Sequence, residues 1–112
     1  MKAIPETGAK PTFSTESGVS NLTVSLAADA EHTHVIDWVD FSYEDATNAA
    51  PTEISIIDDF DTVLWRWQIL DNLVGLARFI PFPGGIYGTK GKRLRVTLSN
   101  TGPTASLNVR SR

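Results

Sequence analysis

The chain has 112 residues, 41% of them hydrophobic, and a formal net charge of −3. This length suits one domain with a modest core, and the hydrophobic content excludes an intrinsically disordered protein. The absence of cysteine excludes disulfides and thiolate metal sites. No apolar run approaches the roughly 20 residues of a transmembrane helix, and the first residues, MKAIPETGAKP, lack the apolar segment of a signal peptide. We therefore expect a soluble protein that is made in the cytoplasm.

The small net charge hides an asymmetry along the chain. Residues 1–62 carry twelve acidic and two basic side chains, whereas residues 63–112 carry one acidic and eight basic ones. If the two halves interleave in the fold, the opposite charges form surface pairs of little energetic value. If they segregate, complementary patches favour contacts between copies or with a charged partner. The sequence leaves both arrangements open.

Residues 1–20 predict an extended N-terminal arm that precedes a β-sandwich domain of residues 21–112. The segment is rich in proline, glycine, serine and threonine, and contains few large apolar side chains. A short edge strand is expected near residues 12–15. The arm is either disordered or laid along a neighbouring subunit, and its sequence does not decide between the two.

Two strands are predicted between residues 21 and 43. Leu22, Val24 and Leu26 alternate with polar residues, which is the pattern of a half-buried strand. In the second strand, residues 34–43 (HVIDWVDFSY), the apolar positions change phase. A β-bulge near residues 37–39 would bring five large side chains toward the core: Ile36, Trp38, Val39, Phe41 and Tyr43. The alternative is a strand that is buried on both faces.

Residues 53–57 and 62–70 predict a hairpin connected by the acidic turn at residues 58–61. In its second strand Trp65 and Trp67 share a face with Val63 and Ile69. We interpret both tryptophans as core residues, and the alternative is a flat platform for stacking sugars. A further strand is expected at residues 74–80.

Residues 79–98, FIPFPGGIYGTKGKRLRVTL, have the most distinctive pattern of the chain. Pro81 and Pro83 each remove a backbone donor, so residues 79–88 predict a rigid apolar loop and exclude a central strand or a helix. The loop is either a structural corner under the sandwich or a partner contact, since rigid apolar loops dock at low entropic cost. Residues 94–98 and 105–109 then alternate as two strands.

These elements together predict an all-β protein. The strands number seven or eight, they are separated by polar turns, and no segment has the apolar stripe of an amphipathic helix. We expect a single sandwich of antiparallel strands, of jelly-roll or related Greek-key type.

The sequence predicts neither catalysis nor a bound cofactor. His32 and His34 would share a strand face, but the spacing places no third ligand, so we interpret them as a solvated edge and not as a metal site. The acidic turn at 58–61 lacks the glycine and the distal glutamate of a calcium loop. The chain has neither a cysteine nucleophile nor a G-x-S-x-G elbow, and no group of side chains is predicted to converge in a cleft. We expect a protein that is not an enzyme.

Lys90, Lys92, Arg93 and Arg95 form a basic stripe at the start of the strand at residues 94–98. Nucleic-acid binding normally requires a larger excess of positive charge and a recognisable module. Because the chain as a whole is acidic, contact with an acidic protein surface is the better interpretation.

Three segments of the chain carry a family resemblance: HVIDWVDFSY, FIPFPGGIYG with the following strand, and the closing strand around LNV. They resemble small β-sandwich proteins that are encoded among the structural genes of tailed bacteriophages. The resemblance covers roughly residues 20–110, and it departs at residues 58–61 and 65–67, which are more acidic and more aromatic here. The matching positions are His34, Val35, Ile36, Phe41, Ser42, Tyr43, residues 79–86, Gly88, Gly91, Leu94, Val96, Thr97, Leu98, Leu107, Asn108 and Val109.

The resemblance implies a virion structural protein, specifically a jelly-roll capsid decoration (cement) protein. Its partners would be the major capsid protein or other virion proteins and further copies of itself, with a trimer favoured, and neither nucleic acid nor a membrane. The alternative is a glycan-binding module on a tail or head fibre. The residues expected to contact a partner are Phe79, Pro81, Phe82, Pro83, Ile86, Tyr87, Arg93 and Arg95. Deletion of residues 2–18 is expected to weaken capsid binding while the fold stays intact.

Overall fold

The structure, a computed structural model, describes residues 11–44, 52–69, 77–100 and 104–112. These residues form strands and connecting turns and contain no helix. The eight strands, in chain order, are β1 (Thr12–Gly18), β2 (Leu22–Leu26), β3 (Val35–Tyr43), β4 (Thr52–Asp58), β5 (Val63–Ile69), β6 (Ala77–Tyr87), β7 (Leu94–Leu98) and β8 (Ala105–Ser111).

The strands form two four-stranded antiparallel sheets with the orders β1-β8-β3-β6 and β2-β7-β4-β5. Strands whose numbers add up to nine pair with each other: β1 with β8, β2 with β7, β3 with β6, and β4 with β5. The chain therefore folds back on itself as one long antiparallel ribbon. This ribbon is wrapped so that alternate pairs fall in opposite sheets, which is the jelly-roll arrangement. The all-β sandwich predicted from the sequence is confirmed.

The core lies between the two sheets and is built by strict alternation along the inner strands. In β7 and β8 every second residue is buried, as expected for strands with one face against the core. Both sheets contribute to one cluster of buried side chains. The fully buried large side chains are Tyr43, Phe41, Ile36, Ile54, Ile56, Leu94, Leu98, Leu107, Val35, Val39, Val96 and Val109.

The bulge predicted in β3 is present, but it does not bring every large side chain inward. The register against β8 shifts between Ile36 and Trp38, so Asp37 is an extra residue in β3. Before the bulge Ile36 is buried, and after it Val39, Phe41 and Tyr43 are buried. Trp38 pairs with Arg110 on the outer face of the sheet, so its prediction as a core residue was wrong.

The described sheet begins inside the segment that was predicted as an arm. Residues 12–18 form β1, which pairs along its whole length with β8 at the edge of the sheet. The short strand expected near residues 12–15 is thus part of the sandwich. Residues 1–10 lie outside the described residues.

Residues 79–88, predicted as a loop, belong mainly to an edge strand. Among the described strands, β6 pairs only with β3, and proline is tolerated at such an edge because no further strand needs the missing donor. Between Pro81 and Ile86, four residues of β6 lie opposite a single residue of β3. Residues 82–85 therefore form an unusually large bulge. Gly84 and Gly85 there have positive φ angles of 82° and 86°, which only glycine adopts without strain.

The hairpin predicted around residues 58–61 is also present. β4 and β5 pair antiparallel, with a register shift between Ile56 and Ile57. Asp61 adopts a positive φ of 61° in the turn, a conformation that short polar side chains tolerate better than most. Of the strand predicted at 74–80, residues 77–80 lie in β6 and the rest lie outside the described residues.

Candidate contact surfaces

The side chains of β6 point to both faces of its sheet. Ile80, Phe82 and Ile86 pack against the core cluster. Phe79 and Pro81 pair with outward-facing residues of β3 and lie on the outer face. Pro83 lies exposed in the bulge, and Tyr87, at the end of the strand, is 55% exposed. The predicted contact residues of this segment therefore divide into an inward group and an exposed group.

The inward group closes the side of the sandwich between two edge strands. The ring of Phe82 meets the ring of Trp65 in a T-shaped contact with centroids 4.9 Å apart. Trp67, two residues along β5, lies 6.1 Å from Phe41. Both tryptophans pair with inward-facing isoleucines of β4, and they remain partly accessible because β5 is an edge strand. Trp67 is 37% exposed, but the two rings do not form a platform on the outer face.

An aromatic row crosses the outer face of the β1-β8-β3-β6 sheet. The Trp38 ring lies 5.8 Å from Phe13 and 5.2 Å from Phe79, measured between centroids, with tilted planes. We call Phe13, Trp38 and Phe79, with Asp40 and Arg110 beside them, the aromatic face. Phe13 and Trp38 were not predicted to join Phe79, because the phase change at the bulge was assumed to turn Trp38 inward. The sequence did contain one signal that Trp38 faces outward: the charged residue Asp40 lies two positions further along the strand and therefore shares its face.

Arg93 and Arg95 lie next to the acidic β4–β5 turn and are paired with it. The Arg93 guanidinium donates to Asp59 Oδ1 at 2.7 Å, and Arg95 donates to Asp61 Oδ1 at 2.6 Å and to the Asp58 carbonyl at 3.0 Å. The same arginine holds the pKa of the Asp61 carboxyl below its ordinary value, first by this hydrogen bond and then by its charge. The two arginines of the basic stripe are therefore neutralised within the chain.

The turn itself is organised by the Asp58 side chain. Its Oδ1 accepts from the backbone N–H groups of Phe60 at 2.8 Å and Thr62 at 2.9 Å. Across the described parts of the chain, no three His, Cys, Asp or Glu side chains come together in a way that could hold a metal ion.

The two histidines line an open cavity of about 690 Å³ together with Asp29 and Arg112. Their rings meet edge to face with centroids 4.7 Å apart. His34 donates through Nε2 to the Ala27 carbonyl at 2.7 Å, and Arg112 is held by Asp37 at 2.9 Å. The polar groups here mainly secure the neighbouring loop and the end of the chain.

At the opposite end of β3, a buried tyrosine ties the two sheets together. The Tyr43 hydroxyl donates to the Ser99 carbonyl at 2.6 Å. Burial raises the pKa of this phenol.

Comparison with known proteins adds little to this description. No family model matches the sequence, and no curated protein matches it. The fold is similar to a chain of infectious bursal disease virus strain Gx, at 13% identity and TM-score 0.41, covering 93% of this chain and 32% of the viral one. The VP2 subviral particle of the same virus is similar at 14% identity and TM-score 0.39, covering 91% and 33%. A mitogen from Yersinia pseudotuberculosis is similar at 12% identity and TM-score 0.38, covering 89% and 86%.

This chain spans about a third of the length of the two viral chains. All three likenesses are low in identity and in TM-score, so they carry no functional argument. Within the described ranges, no helix is long and apolar enough to cross a bilayer.

Proposed function

We propose that the protein is a bacteriophage virion structural protein, a capsid decoration protein that binds the shell surface as a homo-oligomer and stabilises it. The single observation that carries the proposal is the division of the FIPFPGGIY motif on β6. Ile80, Phe82 and Ile86 face inward, so folding alone explains their apolar character. Pro83 and Tyr87 are exposed, and packing against the core does not explain them. The resemblance of this motif to phage structural proteins supports a contact with another virion protein.

The exposed part of β6 is suited to binding because it is already rigid. Pro81 and Pro83 each restrict φ to near −65°, and the inward side chains anchor the strand to the core. A surface that loses little conformational entropy on docking retains more of its contact energy as affinity. We assign the shell contact to the bulge end of β6, at Pro83 and Tyr87, and place Phe79 and Pro81 on a separate face.

Arg93 and Arg95 have a smaller part in this proposal than the sequence suggested. Their charges are paired with Asp59 and Asp61, and exposed pairs of this kind contribute little to affinity or stability. Their role in the proposal is to hold the β4–β5 turn, while the contact with the shell is made by β6.

The proposed mechanism is stabilisation by mass action and involves no catalysis. A protein that binds the assembled shell but not its dissociated subunits shifts the equilibrium toward the shell. At a free concentration 100 times Kd, this is worth about 2.7 kcal/mol per bound site. The protein would be made in the host cytoplasm and would act in the virion, with the major capsid protein as its partner.

The test is co-sedimentation of the purified protein with capsids that lack it, counting the copies bound per shell. Saturation at a fixed ratio set by capsid symmetry supports the proposal. Tyr87→Ala is expected to weaken binding about tenfold or more, as loss of an aromatic anchor does. Phe60→Ala is the matched control, since Phe60 is an exposed aromatic residue on the β4–β5 turn. No binding by the unaltered protein would refute the role, and equal effects of the two variants would refute the contact on β6.

The N-terminal arm needs a shorter deletion than the sequence suggested. Removing residues 2–18 would also remove β1, which pairs with β8 along its length. Deletion of residues 2–10 keeps all eight strands and is expected to weaken capsid binding in the same assay. Unchanged binding would exclude the arm as a contact.

A further inference from the structure

The aromatic face keeps much of its apolar surface accessible. Phe13 and Phe79 flank Trp38, yet each remains 57% exposed. Cross-strand aromatic contacts stabilise a sheet by only about 0.2–1 kcal/mol each, and they do not require exposure on this scale. Because the three rings are adjacent, the exposed area forms a patch instead of isolated side chains, and such a patch is typical of an interaction site.

Two opposite charges lie within this face. Arg110 pairs in register with Trp38, and Asp40 lies two residues beyond Trp38 on β3. Both therefore point outward, on adjacent rows and adjacent strands. In the parts of the chain that the structure describes, the arginines at 66, 93, 95 and 112 each form an ion pair, and neither Arg110 nor Asp40 does.

An apolar patch with one free charge of each sign is complementary to itself. If two copies meet through this face about a twofold axis midway between Arg110 and Asp40, Arg110 of each copy meets Asp40 of the other. The same rotation brings the two aromatic rows together. Such an isologous contact uses one surface twice and closes at two copies.

We propose that the aromatic face is a homotypic interface at which a second copy of this chain docks. This interface would be the contact that holds the proposed homo-oligomer together. Dimerisation itself does not depend on the proposed function, and only the role of the dimer on a shell rests on it. An isologous contact builds a dimer, so this surface by itself does not give the trimer that the resemblance favours.

The size of the face indicates a contact of limited strength. Four strands about 4.8 Å apart and about seven residues long cover roughly 450 Å² per copy. Twice this area lies below the usual 1,200–2,000 Å² of stable complexes, in the range of weak and transient ones. We therefore expect a reversible dimer whose population depends on protein concentration.

The test is sedimentation equilibrium of the full chain across roughly a hundredfold range of concentration. The unaltered protein is expected to pass from monomer to dimer. Asp40→Arg alone and Arg110→Asp alone are each expected to raise the dimer dissociation constant at least tenfold. In a dimer of either variant, both symmetric contacts would bring together two side chains of like charge. An equimolar mixture of the two variants is expected to restore a dimer, because both opposite-charge pairs then re-form between different chains.

Lys90→Asp is the matched control for Arg110→Asp, since it makes the same change in charge at an exposed turn away from this face. It is expected to leave dimerisation unchanged, and circular dichroism would verify that every variant is folded. A monomer at all concentrations, a trimer, or a mixture that fails to re-form a dimer would overturn the proposal. None of these outcomes involves a capsid, so they leave the co-sedimentation test of the proposed function independent.

Discussion

At Gly85 the backbone of β6 passes very close to β3. A Cβ atom at this position would overlap Cγ1 of Val35 and approach the Arg112 guanidinium. Val35 is completely buried and β-branched, so its side chain has little freedom to move away. Gly84 has almost the same φ angle, but a Cβ there would meet nothing within 4 Å. Alanine substitutions at the two neighbouring glycines can therefore be compared: both introduce backbone strain, but only the one at position 85 also introduces an overlap.

Gly85→Ala is expected to destabilise the protein more than Gly84→Ala. Each alanine carries the penalty of a positive φ, about 1–2 kcal/mol, and only the one at position 85 adds the overpacking cost of about 1–3 kcal/mol. Urea unfolding followed by tryptophan fluorescence measures both. Equal losses of unfolding free energy would contradict the close approach at Gly85.

At the scale of elements, the β4–β5 hairpin depends on one side chain of its turn. Asp58 is buried, and it satisfies two backbone donors of the turn through a single oxygen. Asp59, its neighbour, only pairs with Arg93 at the surface. The sequence predicted the turn from its composition, but the three aspartates are equivalent in that pattern, and the distinct role of Asp58 comes from its burial at the end of β4.

Asp58→Ala is expected to lower the unfolding free energy by about 1.5–3 kcal/mol, since hydrogen bonds to a charged acceptor are lost. Asp59→Ala should cost about 1 kcal/mol or less, as for other exposed ion pairs. Asp58→Asn keeps an acceptor oxygen and should recover much of the loss. Thermal or urea unfolding of the three variants is the measurement, and an Asp59→Ala effect as large as that of Asp58→Ala would refute this account of the turn.

For the molecule as a whole, the acidic and basic halves of the sequence interleave. Every ion pair among the described residues joins an acid from residues 1–62 to an arginine from residues 63–112. This follows from the topology, because β7 lies beside β4 and the chain end lies beside β3. The surface-pair interpretation of the charge asymmetry is supported for these residues.

One consequence can be tested by titration. Arg95 holds the pKa of Asp61 below its ordinary value of 3.8. The pair therefore adds stability above that value, and this contribution is lost as the pH falls through the lower, folded-state pKa. In NMR titrations, Arg95→Gln is expected to return the Asp61 midpoint toward 3.8, and Arg93→Gln to move it less. An unchanged midpoint in Arg95→Gln would contradict the assignment.

The sequence by itself determined the fold class and most of the strands. Apolar and polar residues alternate at residues 22–26, 94–98 and 105–109, and this pattern is typical of a strand with one face against a core. The polar turns that separate the strands also exclude long helices. The apolar, proline- and glycine-rich motif at residues 79–88 was likewise visible in the sequence, although its division into inward and exposed groups was not.

Only the tertiary structure decided which faces and which charges meet. One extra residue, Asp37, reverses the direction of Trp38. The phase change in the sequence placed the bulge near residues 37–39, but it did not decide which side chains lie on which face. The aromatic face joins side chains from four strands that are distant in sequence, and the arginine pairs join the start of β7 to the β4–β5 turn. These contacts depend on how the antiparallel ribbon is wrapped, which is a property of the whole chain and not of any local pattern.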